Sequence, residues 1–247
     1  MILTFTDFGS APPYLAQMKA AALAECGDAR ILDMVTDAPA FRPRPAGYLL
    51  AHYIRDFPEG SVVIGVVDPG VGTDRRAVIV HAGGRWFVGP DNGLFAPALR
   101  LAGGGAAWRV DWRPVRVSAS FHGRDVFAPV AGRIARGLPP AGHPVDPDGL
   151  VGMADPDDRD AVIYVDGYGN AITGRRADTV AADARIHVAG HTVHPARTFG
   201  EAPLGAAMWY RNANDLVELA VNQGRADAAL GVGIDTPIAV ARPRAGD

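Results

Sequence analysis

The sequence contains one cysteine, Cys26, so no internal disulfide can form and no cysteine-rich metal site can be built. It contains one lysine, Lys19; the remaining basic residues are arginines, a bias that reads as GC-rich coding rather than a physical requirement. No apolar run approaches the ~18 residues that suggest a membrane span. The start, residues 1–6, is a short apolar run ending at Asp7, without the basic head and long apolar stretch of a signal peptide. Basic charge is not in excess: 24 Lys and Arg against 27 Asp and Glu leave a net charge of -3, so no surface for nucleic acid is advertised. These absences leave a cytoplasmic enzyme or binding protein as the expectation.

What is present is an ordinary globular composition, 48% apolar and 21% charged over 247 residues, enough for one large domain or two modest ones. Strand-like and helix-like segments alternate in the first half. Residues 2–6, 30–35 and 62–67 read as strands; 14–23 (after Pro12 and Pro13), 46–57, 93–101 and 126–135 read as helices. Residues 77–81 and 85–88 read as a pair across Ala82-Gly83-Gly84. The alternation predicts an α/β domain over 1–145, with a mostly parallel sheet covered by helices. Residues 146–160 are rich in Pro, Gly and Asp and read as a linker. Beyond them, 161–165, 184–188, 206–210, 216–221 and 237–241 read as strands of a smaller, antiparallel C-terminal β domain over 161–247.

Ligands of an open parallel sheet bind beyond the carboxyl ends of its strands. Three strand ends here carry an Asp beside Gly or Pro: Thr6-Asp7-Phe8-Gly9, Val67-Asp68-Pro69-Gly70-Val71-Gly72, and Gly89-Pro90-Asp91-Asn92-Gly93. Each alone is an ordinary turn, but the fold brings the three to one edge. A fourth stretch, Phe121-His122-Gly123-Arg124-Asp125, opens a helix, where Asp125 complements the helix dipole and a lone His is more often a satisfied turn residue. A fifth, Asp166-Gly167-Tyr168-Gly169-Asn170, reads either as a tight turn or as a carboxylate, an aromatic face and an amide suited to a ligand with an amine and a flat base. No metal site is expected. His187, His191 and His194 have helical spacing, but Gly190 and Pro195 favour a hairpin in which the three do not share a face. Gly103-Gly104-Gly105 has no phosphate-loop spacing and reads as a helix end.

The five stretches, in this order, resemble the S-adenosyl-L-methionine (SAM) hydroxide adenosyltransferases, or SAM hydrolases, relatives of the SAM-dependent fluorinase and chlorinase; the likeness runs from residue 1 to about residue 230. It implies an N-terminal α/β domain, a C-terminal β domain, and a homotrimer in which SAM lies between the N-terminal domain of one subunit and the C-terminal domain of the next. SAM is then a substrate, and no cofactor is implied. By the same resemblance, Asp68, Arg75 and His122 hold a water against ribose C5′. Asp7 chelates the ribose diol, and Phe41 lines the adenosine pocket. Asp166 lies near the methionine ammonium, Tyr168 and Asn170 hold the nucleoside, and Asn222 lies where adenine is contacted. Two departures stand out. Thr36 replaces a common His, and Asn214-Asp215 replaces a serine and its neighbour at the methionine carboxylate, which Asp215 could repel. Two other functions compete. A halogenase would favour small or apolar groups over Asp68, because a carboxylate repels a halide. A non-catalytic SAM or adenosine sensor would keep Asp7, Phe41 and Asn170 but need no trio.

Overall fold

The computed structural model describes residues 1–9, 13–112, 114–115 and 117–241; Pro12, read as part of a helix start, lies outside them. The chain divides into two compact units, Met1–Asp155 and Pro156–Asp247. Among the described residues no helix is long and apolar enough to cross a membrane.

The first unit runs β1 (Ile2–Thr6), α1 (Tyr14–Glu25), β2 (Ile31–Val35), α2 (Pro43–Tyr53), β3 (Val62–Val66), β4 (Ala77–Ala82), β5 (Arg85–Pro90), α3 (Ala96–Leu101), β6 (Gly105–Val110), α4 (Ala128–Ala135) and β7 (Gly142–Val145). Its sheet order is β2-β1-β3-β5-β4-β6-β7. The pairs from β2 to β5 are parallel, as the alternation implies. The expectation of a mostly parallel sheet is corrected by the other half, because β5–β4, β4–β6 and β6–β7 are antiparallel and the sheet is mixed. The turn between β4 and β5 explains the reversal: Gly83 and Gly84 both have positive φ, 55° and 72°, which lets two residues join antiparallel strands. The two later strands then extend the free edge of β4.

Alternation along the central strands divides the core. Ile2, Val62, Ile64, Val66 and Val88 pack with Leu15, Met18 and Ala22 of α1 and with Val130 and Ile134 of α4. On the opposite face Gly65 lies under Phe95; a Cβ there would come within 2.6 Å of the ring, so this position needs glycine. Residues 146–155, inside the stretch read as a linker, are tied to this unit. Val151 N–H donates to Asp91 at 2.9 Å, Arg76 donates to the Gly149 carbonyl at 3.0 Å, and Arg100 to that of Gly152 at 2.6 Å.

The second unit contains β8 (Arg159–Val165), β9 (Ala171–Arg176), β10 (Arg185–Val188), β11 (His191–Pro195), β12 (Ala207–Arg211), β13 (Leu216–Val221), α5 (Ala226–Leu230) and β14 (Ile238–Ala241). The sheet order is β14-β10-β11-β12-β13-β9-β8. All neighbours are antiparallel except β11 and β12. The expectation of a purely antiparallel domain is corrected at that pair, where the connection 196–206 is long enough to return the chain in the same direction. β10 and β11 form the hairpin expected around the histidines, with His187 opposite Thr192.

Candidate active site

β1 and β3 are adjacent and parallel, with Thr6 opposite Val66, so the residues just past them emerge at one edge. Asp7 and Asp68 do so, and both line a cavity of about 620 Å³ in the first unit, with Phe41, Phe121 and His122 among the other walls. Asp91, at the end of β5, does not reach it. That carboxylate is buried, forms an ion pair with Arg76 and accepts the Val151 N–H, so its role is structural. Asp125 is likewise engaged, accepting the Ser118 N–H at 2.7 Å and pairing with Arg124 at 2.6 Å.

Asp68, Arg75 and His122 form one hydrogen-bonded chain. Arg75 Nε donates to both Asp68 oxygens at 2.9 and 3.0 Å, and Nη2 donates to Oδ2 at 2.5 Å. Arg75 Nη2 also lies 3.0 Å from His122 Nδ1. A guanidinium has no acceptor, so Nδ1 must offer its lone pair, and the neutral ring carries its proton on Nε2. Burial lowers the His122 pKa below its ordinary value and the Arg75 charge lowers it further, against Asp68 and Asp125. The side chains of Arg75 and Asp68 are only 10% and 4% exposed, and the guanidinium stacks 5.1 Å above the Phe127 ring. His122 directly precedes a single π-helical turn, Gly123–Phe127, an irregularity often found at functional positions.

Asp7 faces the same cavity. Burial raises its pKa, the Phe41 N–H at 3.1 Å opposes the rise, and the Asp68 charge adds to it. Phe41 is 74% exposed and has φ of 60°, a left-handed conformation that costs a non-glycine residue about 1–2 kcal/mol. An exposed aromatic held in a strained backbone beside a half-buried carboxylate is what a flat ligand needs from one wall. Phe8, Tyr14 and Phe121 add an edge-to-face cluster with centroids 5.6–6.1 Å apart. Sequence reasoning did not single out these three rings, although Phe8 and Phe121 stand inside the quoted stretches.

In the second unit Asp166, Tyr168 and Asn170 line a separate cavity of about 670 Å³. Asp166 organises the turn: Oδ1 accepts the N–H groups of Tyr168 and Asn170 at 2.9 Å each, and Oδ2 accepts the Asn170 amide at 3.0 Å. Tyr168 is left 80% exposed. Asn222 and Asn214 are not among the residues lining this cavity. The Asn222 amide donates to the Ala202 carbonyl at 2.8 Å, and Asn214 sits in a turn where its N–H donates to Asn212 Oδ1 at 2.9 Å. The neighbouring Asp215 is paired with Arg211. The cavity also contains Glu218, a buried acid that sequence reasoning did not pick out.

Residues 2–143 match the SAM hydroxide adenosyltransferase N-terminal domain, and residues 160–239 match the C-terminal domain of the same family. The chain belongs to the SAM hydroxide adenosyltransferase family. A Thermus thermophilus protein named (R)-S-adenosyl-L-methionine hydrolase is 39% identical over 251 residues, covering 94% of this chain and 96% of the relative. A Salinispora arenicola protein of the same name is 38% identical over 243 residues, covering 92% of each. The crystal structure of an uncharacterized conserved protein from Thermotoga maritima superposes with a TM-score of 0.89 at 29% identity, covering 98% of this chain and 100% of that one. Within this SAM hydroxide adenosyltransferase, the matched N-terminal domain holds the trio and Asp7, and the matched C-terminal domain holds the Asp166 turn.

Proposed function

We propose that the chain hydrolyses S-adenosyl-L-methionine to adenosine and L-methionine. The observation that carries the reading is the Asp68–Arg75–His122 chain, whose two ends, Asp68 and His122, line the cavity that also holds Asp7. Methionine leaves from sulfonium as a neutral thioether, so the chemistry asks for no acid, metal or cofactor, only for an aligned oxygen nucleophile. A water oxygen attacks C5′, the C5′–S bond breaks, and its electron pair neutralises the sulfonium. With Nδ1 occupied by Arg75, His122 Nε2–H donates to the water and fixes its orientation, while Asp68 accepts its proton. Arg75 holds Asp68 in place through three hydrogen bonds. A halogenase is the poorer reading, because the Asp68 carboxylate in the cavity wall repels a halide.

The relatives' name specifies (R). Since the methionine carbon is already given as L, the descriptor belongs to the sulfonium, and we carry that preference to this chain. Each sulfonium epimer incubated separately in oxygen-18 water tests the reading by mass spectrometry. The R epimer should be consumed faster and yield labelled adenosine. Unlabelled adenosine, a 5′-halogenated product, or no turnover would overturn it.

Asp7 is assigned to the ribose diol, which is present in both substrate and product. Asp7→Ala is therefore expected to weaken SAM and adenosine alike, by about 1.5–3 kcal/mol each in calorimetric titration; unchanged adenosine affinity would remove the assignment. We also assign a homotrimer in which the C-terminal domain of one subunit serves the N-terminal cavity of the next. The exposure of Phe41 and Tyr168, one on each cavity, supports this arrangement. Light scattering should give three times the chain mass, and a fully active monomer would end the assignment.

A further inference from the structure

A second cavity of the first unit, about 550 Å³ in volume, meets the trio from another side. His122 lines both cavities, whereas Asp68 lines the first and not the second, and Arg75 the second and not the first. The trio therefore stands between them. Strand register brings the other charged walls together. β4 begins at Ala77, directly after Asp74-Arg75-Arg76, and its Val78 pairs with Arg109 of β6. Asp74, Arg76 and Arg109 all line this second cavity.

Its walls hold more donors than acceptors. The Arg75 side chain is only 10% exposed, and its Nε and Nη2 are spent on Asp68 and His122. Nη1 carries two more N–H groups, with no acceptor among the described residues. Arg109 is exposed, and its guanidinium makes no hydrogen bond or ion pair among the described residues. Arg76 differs, being committed to Asp91 and to the Gly149 carbonyl. Against these donors stands a single acid, Asp74, which is exposed and has no ion pair among the described residues. Buried guanidinium N–H groups lose stability when nothing accepts from them. Their planar fork matches two oxygens of one anion.

We propose that the second cavity is a binding site for a small oxyanion, of the phosphate or carboxylate class, held by Arg109 and by Nη1 of Arg75, and that its occupation slows the trio. Arg75 is the link. Its guanidinium holds Asp68 through three hydrogen bonds. Burial first, then the Arg75 charge, keep the His122 pKa below its ordinary value, against Asp68 and Asp125. An anion at Nη1 offsets that charge from the far side. Asp68 is then held less firmly, and His122 takes up a proton at higher pH. The protonated ring has no lone pair left for Arg75. Binding of the anion is independent of the reaction; its effect on turnover rests on the reading that the chain hydrolyses SAM.

The test uses the intact protein at constant ionic strength. Sulfate, whose charge is fixed near neutral pH, is the tetrahedral probe, and acetate is the carboxylate probe. Calorimetric titration should show binding, and the tighter of the two names the source. Saturating adenosine should change that affinity by less than about twofold, because it occupies the first cavity. Arg109→Ala should weaken the anion about tenfold, and Asp74→Asn should tighten it about threefold. Neither residue is assigned to the reaction, so without anion kcat should stay within about twofold in both variants. In the wild type the anion should lower kcat for SAM with little change in KM, and move the acid limb of kcat to higher pH. Arg109→Ala should need about tenfold more anion for the same loss. The charged groups around the link are Asp68, His122 and Asp125 on one side and Asp74, Arg76 and Arg109 on the other. No binding of either probe, displacement by adenosine, or equal affinity in Arg109→Ala would overturn the site. Binding with an unchanged kcat would overturn the link to the trio. A wild type that binds sulfate but does not hydrolyse SAM would remove the function, and the effect on turnover with it, while the site stands.

Discussion

Asp68→Asn and His122→Ala are each expected to lower kcat for SAM hydrolysis by about 10²–10⁴-fold. SAM affinity should change by less than about threefold, because the water assigned to them in the proposed mechanism contributes little to ground-state binding. The two residues have different tasks. In the proposed mechanism Asp68 is the acceptor, and His122 is the Nε2–H donor that remains once Arg75 has taken Nδ1. Removing either leaves a water that is bound but misaligned, and alignment is most of what a sulfonium displacement requires. The double variant should therefore lose far less than the product of the single losses, since the remaining partner has no oriented water to act on. Asp68→Asn also removes the negative charge nearest the nucleophile, and a trace of 5′-chlorinated product in chloride buffer is expected from that variant alone. The measurements are steady-state kinetics and product mass spectrometry. Wild-type rates in both single variants, with labelled oxygen still entering adenosine, would assign the water to other groups.

The parallel half of the first sheet was legible because β1, β3 and β5 are short apolar runs that stop at Asp or Gly. The antiparallel half was not. β6 begins at Gly105, behind two more glycines, and reads as the frayed end of α3; its pairing with β4 and β7 makes it a strand. β9 carries Gly174 and two arginines in six residues, a poor strand by composition. Gly174 is there because a Cβ would come within 2.6 Å of the Arg159 side chain on β8. The trio was reachable only through resemblance. Asp68 and Arg75 are seven positions apart and can be guessed as a pair, but Arg75 and His122 are separated by 47, and no spacing rule joins them. Glu218 was hidden for the opposite reason. In Leu216-Val217-Glu218-Leu219-Ala220-Val221 it looks like the solvent-facing position of a half-exposed strand, whereas all six residues are buried. Position in a motif also says nothing of where two amides point: the Asn222 side chain donates to the Ala202 carbonyl, and neither Asn222 nor Asn214 is among the residues lining the cavity.

Arg75→Met is expected to destabilise the protein by about 3–5 kcal/mol, the range for removing one partner of a buried ion pair. The Asp68 side chain is 4% exposed and accepts three hydrogen bonds from Arg75, so the variant leaves a carboxylate desolvated and unneutralised. Methionine approximates the volume of the lost stem, and it can still pack on Phe127, so the loss reports charge more than cavity. Arg75→Met combined with Asp68→Asn should recover much of the stability and none of the activity, because it removes the orphaned charge together with the proton acceptor. The pH dependence gives an independent sign. Burial and then the Arg75 charge hold the His122 pKa below 6.5, so the folded state binds fewer protons there than the unfolded chain. The His122 contribution to stability is therefore lost as pH falls below 6.5 towards the folded value. Without the guanidinium the His122 pKa rises part of the way back, with burial remaining, and that window narrows. Urea unfolding at fixed protein concentration, with a constant slope, measures both effects. A single variant as stable as the wild type, with an unchanged acid limb, would mean that Asp68 finds solvent or another partner and that Arg75 does not hold the trio together.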